Sequence, residues 1–305
     1  MAYFITKKEK YIGTLLAGCC GDVLGSQTEG MFQEDILKKF GKVEVMPQKK
    51  LYTDDTEMTI VLARHLIKNE IVDQVQLHKE YGNEIGNKGY SLTTRNVLTK
   101  FKKNWEQSKF LPLGISGANG AVMRISPLGL IKINFETTVW ETQKAIYYTH
   151  GANADAHSSA VLHSRVINAL VNNRFKDKHG LFSYVMKIAK NHPDLWVKIN
   201  IIKFCLNSGK NLNITEELLG NKNTFQIKAI DALCCAYYIF FKFYDQPKEA
   251  ICYAAGLGGD TDTIAKITGD LCGALHGYKW IPKEWRGVEK EDELIKLGIA
   301  LYNLG

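Results

Sequence analysis

Apolar residues recur at spacings of three and four along almost the whole chain, and this periodicity constrains the fold more than any other feature. Tyr11, Ile12, Leu15, Leu16 and Cys19 make one such face, and Met58, Val61, Leu62 and Leu66 make another. Val139, Ile146 and Tyr147 continue the pattern, as do Val161, Leu162, Val166 and Leu170. The segments Ile227 to Phe243, Thr261 to Gly277 and Glu291 to Leu301 read the same way. Alternating runs are scarce; Lys42 to Val45 is the best of them and is very short. The six prolines sit at segment edges, and the polar stretch Asn207 to Thr224 reads as a surface connection. With no low-complexity linker, the pattern predicts an all-α fold in one compact domain spanning residues 1–305.

At 305 residues and 45% apolar content the chain can bury a sizeable core. No apolar run reaches membrane-spanning length, so no membrane association is expected. The stretch Met1 to Lys8 lacks the charged start and apolar run of a signal peptide. Seven cysteines include the adjacent pairs Cys19–Cys20 and Cys234–Cys235 in apolar segments, with no C-x-x-C. That usage suits buried, reduced thiols, hence a cytoplasmic protein, the nucleus being the other reducing compartment. The net charge of +7 favours anionic partners. Its lysines are scattered, with no basic run interleaved with aromatics, which argues against nucleic-acid binding.

Two short acidic patches stand out. Thr53-Asp54-Asp55-Thr56 and Gly258-Gly259-Asp260-Thr261-Asp262-Thr263 each place two carboxylates and flanking hydroxyls just before a helical segment. Adjacent carboxylates repel one another and lose hydration when sequestered; a hard cation with oxygen ligands relieves both problems. Two patches converging in space suit a two-metal site. A helix N-terminus would help keep Asp54, Asp55, Asp260 and Asp262 ionised, and Thr53 and Thr263 add oxygens. The competing reading is that these residues only cap two helices. No cluster has zinc spacing. His150, His157 and His163 share one stretch, but at spacings of seven and six rather than the three or four that pair side chains on one helix face.

A third element, Ser116-Gly117-Ala118-Asn119-Gly120 followed by Ala121 to Arg124, could turn backbone N–H groups toward a phosphate. Lys88-Gly89-Tyr90-Ser91 is a similar, weaker candidate. A fourth, Gly21 to Glu29, turns sharply out of a helix; Asp22 there reads as a buried capping partner and Glu29 as a surface residue. The stripe Gly269, Gly273, Ala274 and Gly277 reads as close helix packing.

In order along nearly the whole chain, these elements resemble the ADP-ribosylglycohydrolase family. The resemblance rests on Gly21-Asp22-x-x-Gly25 followed by Glu29, on Thr53 to Thr56, on Asn119-Gly120-x-x-Met123-Arg124, on Thr149-His150 and on Leu257 to Ala265. Its motifs lie nearest the branch that cleaves serine-linked ADP-ribose and poly(ADP-ribose), or its bacterial dinitrogenase-reductase-activating relatives. The resemblance implies an orthogonal helical bundle with two Mg²⁺ in a central cleft, Mn²⁺ being an alternative. It implies Thr53, Asp54, Asp55, Asp260, Asp262 and Thr263 as ligands. Glu29, Asp55 and Asp262 would be catalytic. Gly89, Tyr90, Ser116, Gly117, Asn119, Gly120 and His150 would bind substrate. Some members place an aromatic residue before the Gly-Asn-Gly turn to stack on adenine; this chain has Gly117-Ala118 there, so the adenine contact must come from elsewhere.

The function so implied is metal-dependent hydrolysis of the C1 glycosidic bond between ADP-ribose and a protein, polymer or small-molecule acceptor, by a monomer. A catalytically silent ADP-ribose-binding protein and a two-metal nucleotide phosphoesterase are the rival classes. The phosphoesterase would release phosphate or AMP rather than ADP-ribose.

Overall fold

The computed structural model describes residues 5–108, 116–210 and 212–304. Met1 to Phe4, part of the N-terminal reading, and Asn211, within the polar connection, lie outside the described residues. The fold is all-α. Its helices are α1 (Lys7–Gly25), α2 (Gln33–Phe40), α3 (Asp54–Asn69), α4 (Gln74–Glu84), α5 (Leu92–Ser108), α6 (Gly120–Met123), α7 (Ser126–Gly129) and α8 (Phe135–His150). They continue as α9 (Ala154–Val171), α10 (Lys178–Ala189), α11 (Pro193–Asn207), α12 (Ile214–Leu219), α13 (Ala229–Lys242), α14 (Pro247–Ala255), α15 (Thr261–His276) and α16 (Glu291–Leu304).

Local chemistry sets the helix starts. Thr6 and Glu9 exchange side-chain bonds with each other's backbone N–H in a capping box that opens α1. Asp73, Asn134, Asn153 and Asp177 accept backbone N–H groups at the starts of α4, α8, α9 and α10. Pro193 and Pro247 occupy first-turn positions, where their missing N–H costs nothing.

The short alternating run Lys42 to Val45 forms no strand, and no strand occurs among the described residues. Alternation is present, with Val43 buried and Val45 75% exposed, but no second segment lies alongside to complete a ladder. Among the described residues the only bridge is an isolated antiparallel one between Ala118 and Lys228. α13 starts at Ala229 rather than Ile227, because the Ile227 carbonyl is taken by the Asn119 N–H at 2.8 Å. The connection Asn207 to Thr224 contains the short helix α12, capped by Asn213.

α1, α13 and α15 form the interior, and almost every residue of α13 is buried. α1 and α15 run antiparallel along their whole length, in contact through small residues. A Cβ added at Gly25 would lie 2.3 Å from the Thr261 carbonyl oxygen, and one at Gly21 would lie 2.1 Å from that of Ala265. Further along, a Cβ at Gly273 would meet the Gly13 oxygen at 2.0 Å. The stripe on α15 is therefore packing, matched by a four-residue repeat of small residues on α1. Within this core Lys266 Nζ lies 2.6 Å and His163 Nε2 3.2 Å from Asp270 Oδ2. All seven cysteines are buried and free of disulfides. No helix is long and apolar enough to cross a membrane, among the described residues.

Candidate functional site

The α1–α15 contact determines where the acidic residues meet. Gly25 ends α1 beside Thr261, which opens α15, so the turn carrying Glu29 falls against the second acidic patch. Two backbone bonds tie them: Gly30 N–H to the Gly259 oxygen at 2.9 Å and Gly259 N–H to the Met31 oxygen at 3.0 Å. Thr28 Oγ1 adds bonds to the Ala255 oxygen at 2.7 Å and to Thr261 Oγ1 at 3.1 Å. Gly258 and Gly259 have φ of +86° and +88°, the left-handed region that favours glycine. A Cβ at Gly259 would also lie 2.3 Å from Gln226 Oε1.

The first patch is held from α1 as well. Asp22, fully buried, accepts the Thr53 N–H at 3.0 Å, the Thr56 N–H at 3.1 Å and the Thr56 hydroxyl at 2.5 Å. Asp22 thus satisfies the open N–H groups at the start of α3, as its reading as a capping partner requires. Thr53 Oγ1 accepts the Asp55 N–H at 3.3 Å. Capping in this patch falls to Asp22 and Thr53, which leaves the Asp54 and Asp55 side chains for other work. In the second patch the Asp260 side chain makes no cap bond at all. Its Oδ2 accepts the Asn119 amide at 2.7 Å, joining the Ser116–Gly120 turn to the acidic residues.

These parts surround one cavity of about 330 Å³, lined by Asp54, Asp55, Asp260, Asp262 and Thr263, with Glu29 at its solvent-exposed mouth. Gly89, Ser116, Asn119, Gly120 and His150 line it too. Three expected residues stand outside the lining. Thr53 caps α3, Gly117 backs the turn, and Tyr90 is buried with its hydroxyl donating to Glu57 Oε2 at 2.6 Å. The turn offers fewer free amides than its glycines suggest. The N–H groups of Ser116, Ala118 and Asn119 already donate to the His150 oxygen, Ser116 Oγ and the Ile227 oxygen. The three histidines diverge: His157 contacts the Val139 oxygen and His163 the buried Asp270, and only His150 reaches the cavity.

Electrostatics in the cavity run against the expectation that helix ends keep Asp54, Asp55 and Asp262 ionised. Burial, then the charge of Asp22, raises the Asp54 carboxyl from its ordinary 3.8 to about 7. At about 1.4 kcal/mol per pH unit, that rise outweighs a helix-end contribution of about 0.3–1 kcal/mol. Burial and the neighbouring aspartates push Asp55 and Asp262 well above the usual carboxylate range. Partial burial, then Asp260 and Asp22, raise Glu29. Asp55 Oδ2 is buried with no hydrogen-bond partner. An unpartnered buried carboxylate oxygen among mutually repelling acids is a donor set that a hard cation fits. As they stand, no three such side chains among the described residues already converge on one point.

Residues that sequence reasoning passed over complete the walls. Thr93 and Thr94 enter from the start of α5, and Ile227, 60% exposed, from beside the Ala118–Lys228 bridge. No described lining residue is Phe, Tyr or Trp, so Met123 and Ile227 are the large apolar surfaces available. Arg124, fully buried, donates to Thr149 Oγ1 at 2.6 Å, and that oxygen lies 2.8 Å from His150 Nδ1. Burial, then the Arg124 charge, holds His150 well below the usual imidazole range, hence neutral.

A sequence model of the ADP-ribosylglycohydrolase family matches residues 5–305. The chain belongs to this family. It is 27% identical over 315 residues to an uncharacterized protein of Archaeoglobus fulgidus, covering 97% of each chain. It is 23% identical over 336 residues to the human ADP-ribosylhydrolase ARH3, covering 93% of this chain and 91% of that one. With the ADP-ribosylarginine hydrolase Tri1 of Serratia proteamaculans it shares 24% identity over 291 residues, 91% of this chain and 74% of the relative. Among solved structures, an ADP-ribosylglycohydrolase-related protein complex superimposes with a TM-score of 0.74 at 23% identity, covering 98% of both chains. Family membership thus supports ADP-ribosyl hydrolase activity in general, on the same all-α fold.

Proposed function

We propose that this protein is a divalent-metal-dependent hydrolase that releases ADP-ribose from an ADP-ribosylated acceptor by cleaving the bond to the ribose C1. The observation that carries the reading is the meeting of Asp54 and Asp55 from α3 with Asp260 and Asp262 from α15 in one cavity, with Glu29 at its mouth. Thr53, Asp54, Asp55, Asp260, Asp262 and Thr263 would hold two Mg²⁺ or Mn²⁺ ions. Thr53 can join because its capping hydroxyl keeps a second lone pair. When bound, the ions would orient the ribose hydroxyls and activate a water.

The chain's own groups do the rest. Asn119 steadies Asp260 through its amide, and the Gly89 and Ser116–Gly120 walls confine the diphosphate. His150, kept neutral, lines the sugar-binding space without adding a charge. Met123 and Ile227 give the adenosine end apolar surface. Glu29 stands where a proton must move between water, leaving group and solvent. Cleavage of this kind passes through an oxocarbenium-like state, and a carboxylate that accepts or supplies that proton assists it.

The test is a panel of serine-linked, arginine-linked, polymeric and O-acetyl ADP-ribose substrates incubated with Mg²⁺ and analysed by mass. Free ADP-ribose from at least one substrate, lost with chelator, is expected. Release of AMP or inorganic phosphate instead would replace this reading with a phosphoesterase.

A further inference from the structure

The acidic cavity is not the only ligand-sized concavity. A second cleft of about 620 Å³ opens between α10, α11 and the C-terminal end of α13. That volume is in the range of small-molecule sites, about 300–1,000 Å³. Its floor is apolar and aromatic: Phe182, Met186, Tyr238 and Phe241. Its rim carries Lys178, His179, Lys203 and Lys210, and no Asp or Glu is among the described residues lining it. α13 separates the two sites. Ile227, just before it, faces the acidic cavity, and Phe241, near its far end, floors the cleft. At about 1.5 Å of rise per residue, that places them on the order of 20 Å apart.

Exposed lysines without an ion pair are ordinary in this molecule, Lys68 and Lys132 among them; what distinguishes Lys178 and Lys203, which form none among the described residues, is that they face one concavity. Lys242 also lines the cleft, with its ammonium 5.4 Å from the Tyr238 ring centre and 4.9 Å from that of Tyr253. Cations of one sign gathered over low-dielectric walls concentrate counter-charge between them. An apolar floor beneath them selects an anion with an apolar body over a bare inorganic ion.

We propose that this cleft is a second ligand site for an amphipathic organic anion, with an aromatic or apolar ring system on Phe182, Met186, Tyr238 and Phe241 and a phosphate ester facing Lys178 and Lys203. The site is separate from the ADP-ribose cavity and does not depend on its metal ions.

The test is calorimetric titration of the whole protein with 2-naphthyl phosphate in chelator. Saturable binding to a single site is expected, weakened about tenfold or more in Lys178→Glu/Lys203→Glu, a difference of about 1.4 kcal/mol or more. Both lysines are exposed, so the variant should keep the parent unfolding curve; Lys203→Gln is the milder control and should weaken binding in the same direction. Raising NaCl from about 50 to about 300 mM should weaken binding several-fold, as screening demands. The variant Asp55→Asn should bind as the parent does, whereas 2-naphthol and inorganic phosphate alone should bind far more weakly. Absence of saturable binding overturns the proposal. So does equal affinity in Lys178→Glu/Lys203→Glu, or loss of binding in Asp55→Asn alone, which would place the ligand in the acidic cavity.

Discussion

Asp22 reaches from α1 to the first turn of α3, where its carboxylate accepts the Thr56 hydroxyl at 2.5 Å and the Thr56 N–H at 3.1 Å. A side chain with no accessible surface therefore orients the first acidic patch from behind. In Asp22→Ala the donors of Thr53 and Thr56 lose their acceptor inside the protein. Each buried polar group left unpaired costs about 1–3 kcal/mol. Denaturant unfolding should show a loss of at least that size, and Mg²⁺ affinity should fall with it because Asp54 and Asp55 are no longer aimed. A variant with parent stability and parent metal affinity would show that Asp22 does not organise the site.

Acidity and metal binding should oppose one another here. Asp54 has its carboxyl raised from 3.8 to about 7, and Asp55 and Asp262 are raised well above the carboxylate range. In the metal-free protein the native state holds protons that the unfolded state has released. The contribution of Asp54 to stability is therefore fully present below about pH 4 and is lost as pH rises through about 7. Mg²⁺ competes with those protons, so its affinity should rise over the same interval. Melting curves at pH 6 and pH 8, with and without Mg²⁺, check the sign. A larger Mg²⁺-induced shift at pH 6 would contradict the raised carboxyls.

Glu29→Gln should slow hydrolysis by about 10²–10⁴-fold, the usual worth of general acid–base assistance, while ADP-ribose binding changes little. Gln keeps the size and can still hydrogen-bond but cannot accept a proton at neutral pH. Single-turnover rates paired with ADP-ribose titrations separate chemistry from binding. A variant turning over at the parent rate would return Glu29 to its reading as a surface residue.

Gly25→Ala tests whether the α1–α15 contact builds the site. The added Cβ would sit 2.3 Å from the Thr261 oxygen and 2.6 Å from the Asp262 Cα, both backbone atoms without a rotamer to escape by. Overpacking of this kind costs about 1–3 kcal/mol. The distinctive readout is metal affinity, which should fall more than in Leu301→Ala, a core truncation on α16 away from the cavity. Equal metal affinity in the two variants would detach the helix contact from the site.

The aspartates can be read from sequence because paired carboxylates ahead of an apolar periodic run are chemically costly without a purpose. The resemblance then joins patches that no local pattern connects. The capping role of Asp22 is readable too, since it stands in the last turn of a helix beside glycine. Thr93, Thr94 and Ile227 leave no comparable signal: an ordinary threonine and an ordinary isoleucine become wall residues only through the packing of α5 and the bridge from Ala118 to Lys228. The helices α2, α4, α10, α11 and α14 escape the periodicity reading because their buried faces are short or interrupted by lysine and glutamate. The carboxyl protonation is invisible for another reason. Sequence shows which helix end an aspartate occupies, while burial and the charge of a distant Asp22 depend on the assembled fold.

The paired backbone bonds between Gly30, Met31 and Gly259 bear on how such enzymes can be re-engineered. A catalytic loop joined to its own scaffold only at its two ends can be exchanged as one cassette. Here the Glu29 turn is also stitched laterally to a segment more than two hundred positions downstream, so its shape belongs to both. Grafting residues 26–33 from a relative of different acceptor preference would import half of a two-part element. The transplantable unit is that turn together with residues 255–261, and chimeras that move both should keep a Glu29 geometry that single-segment chimeras lose.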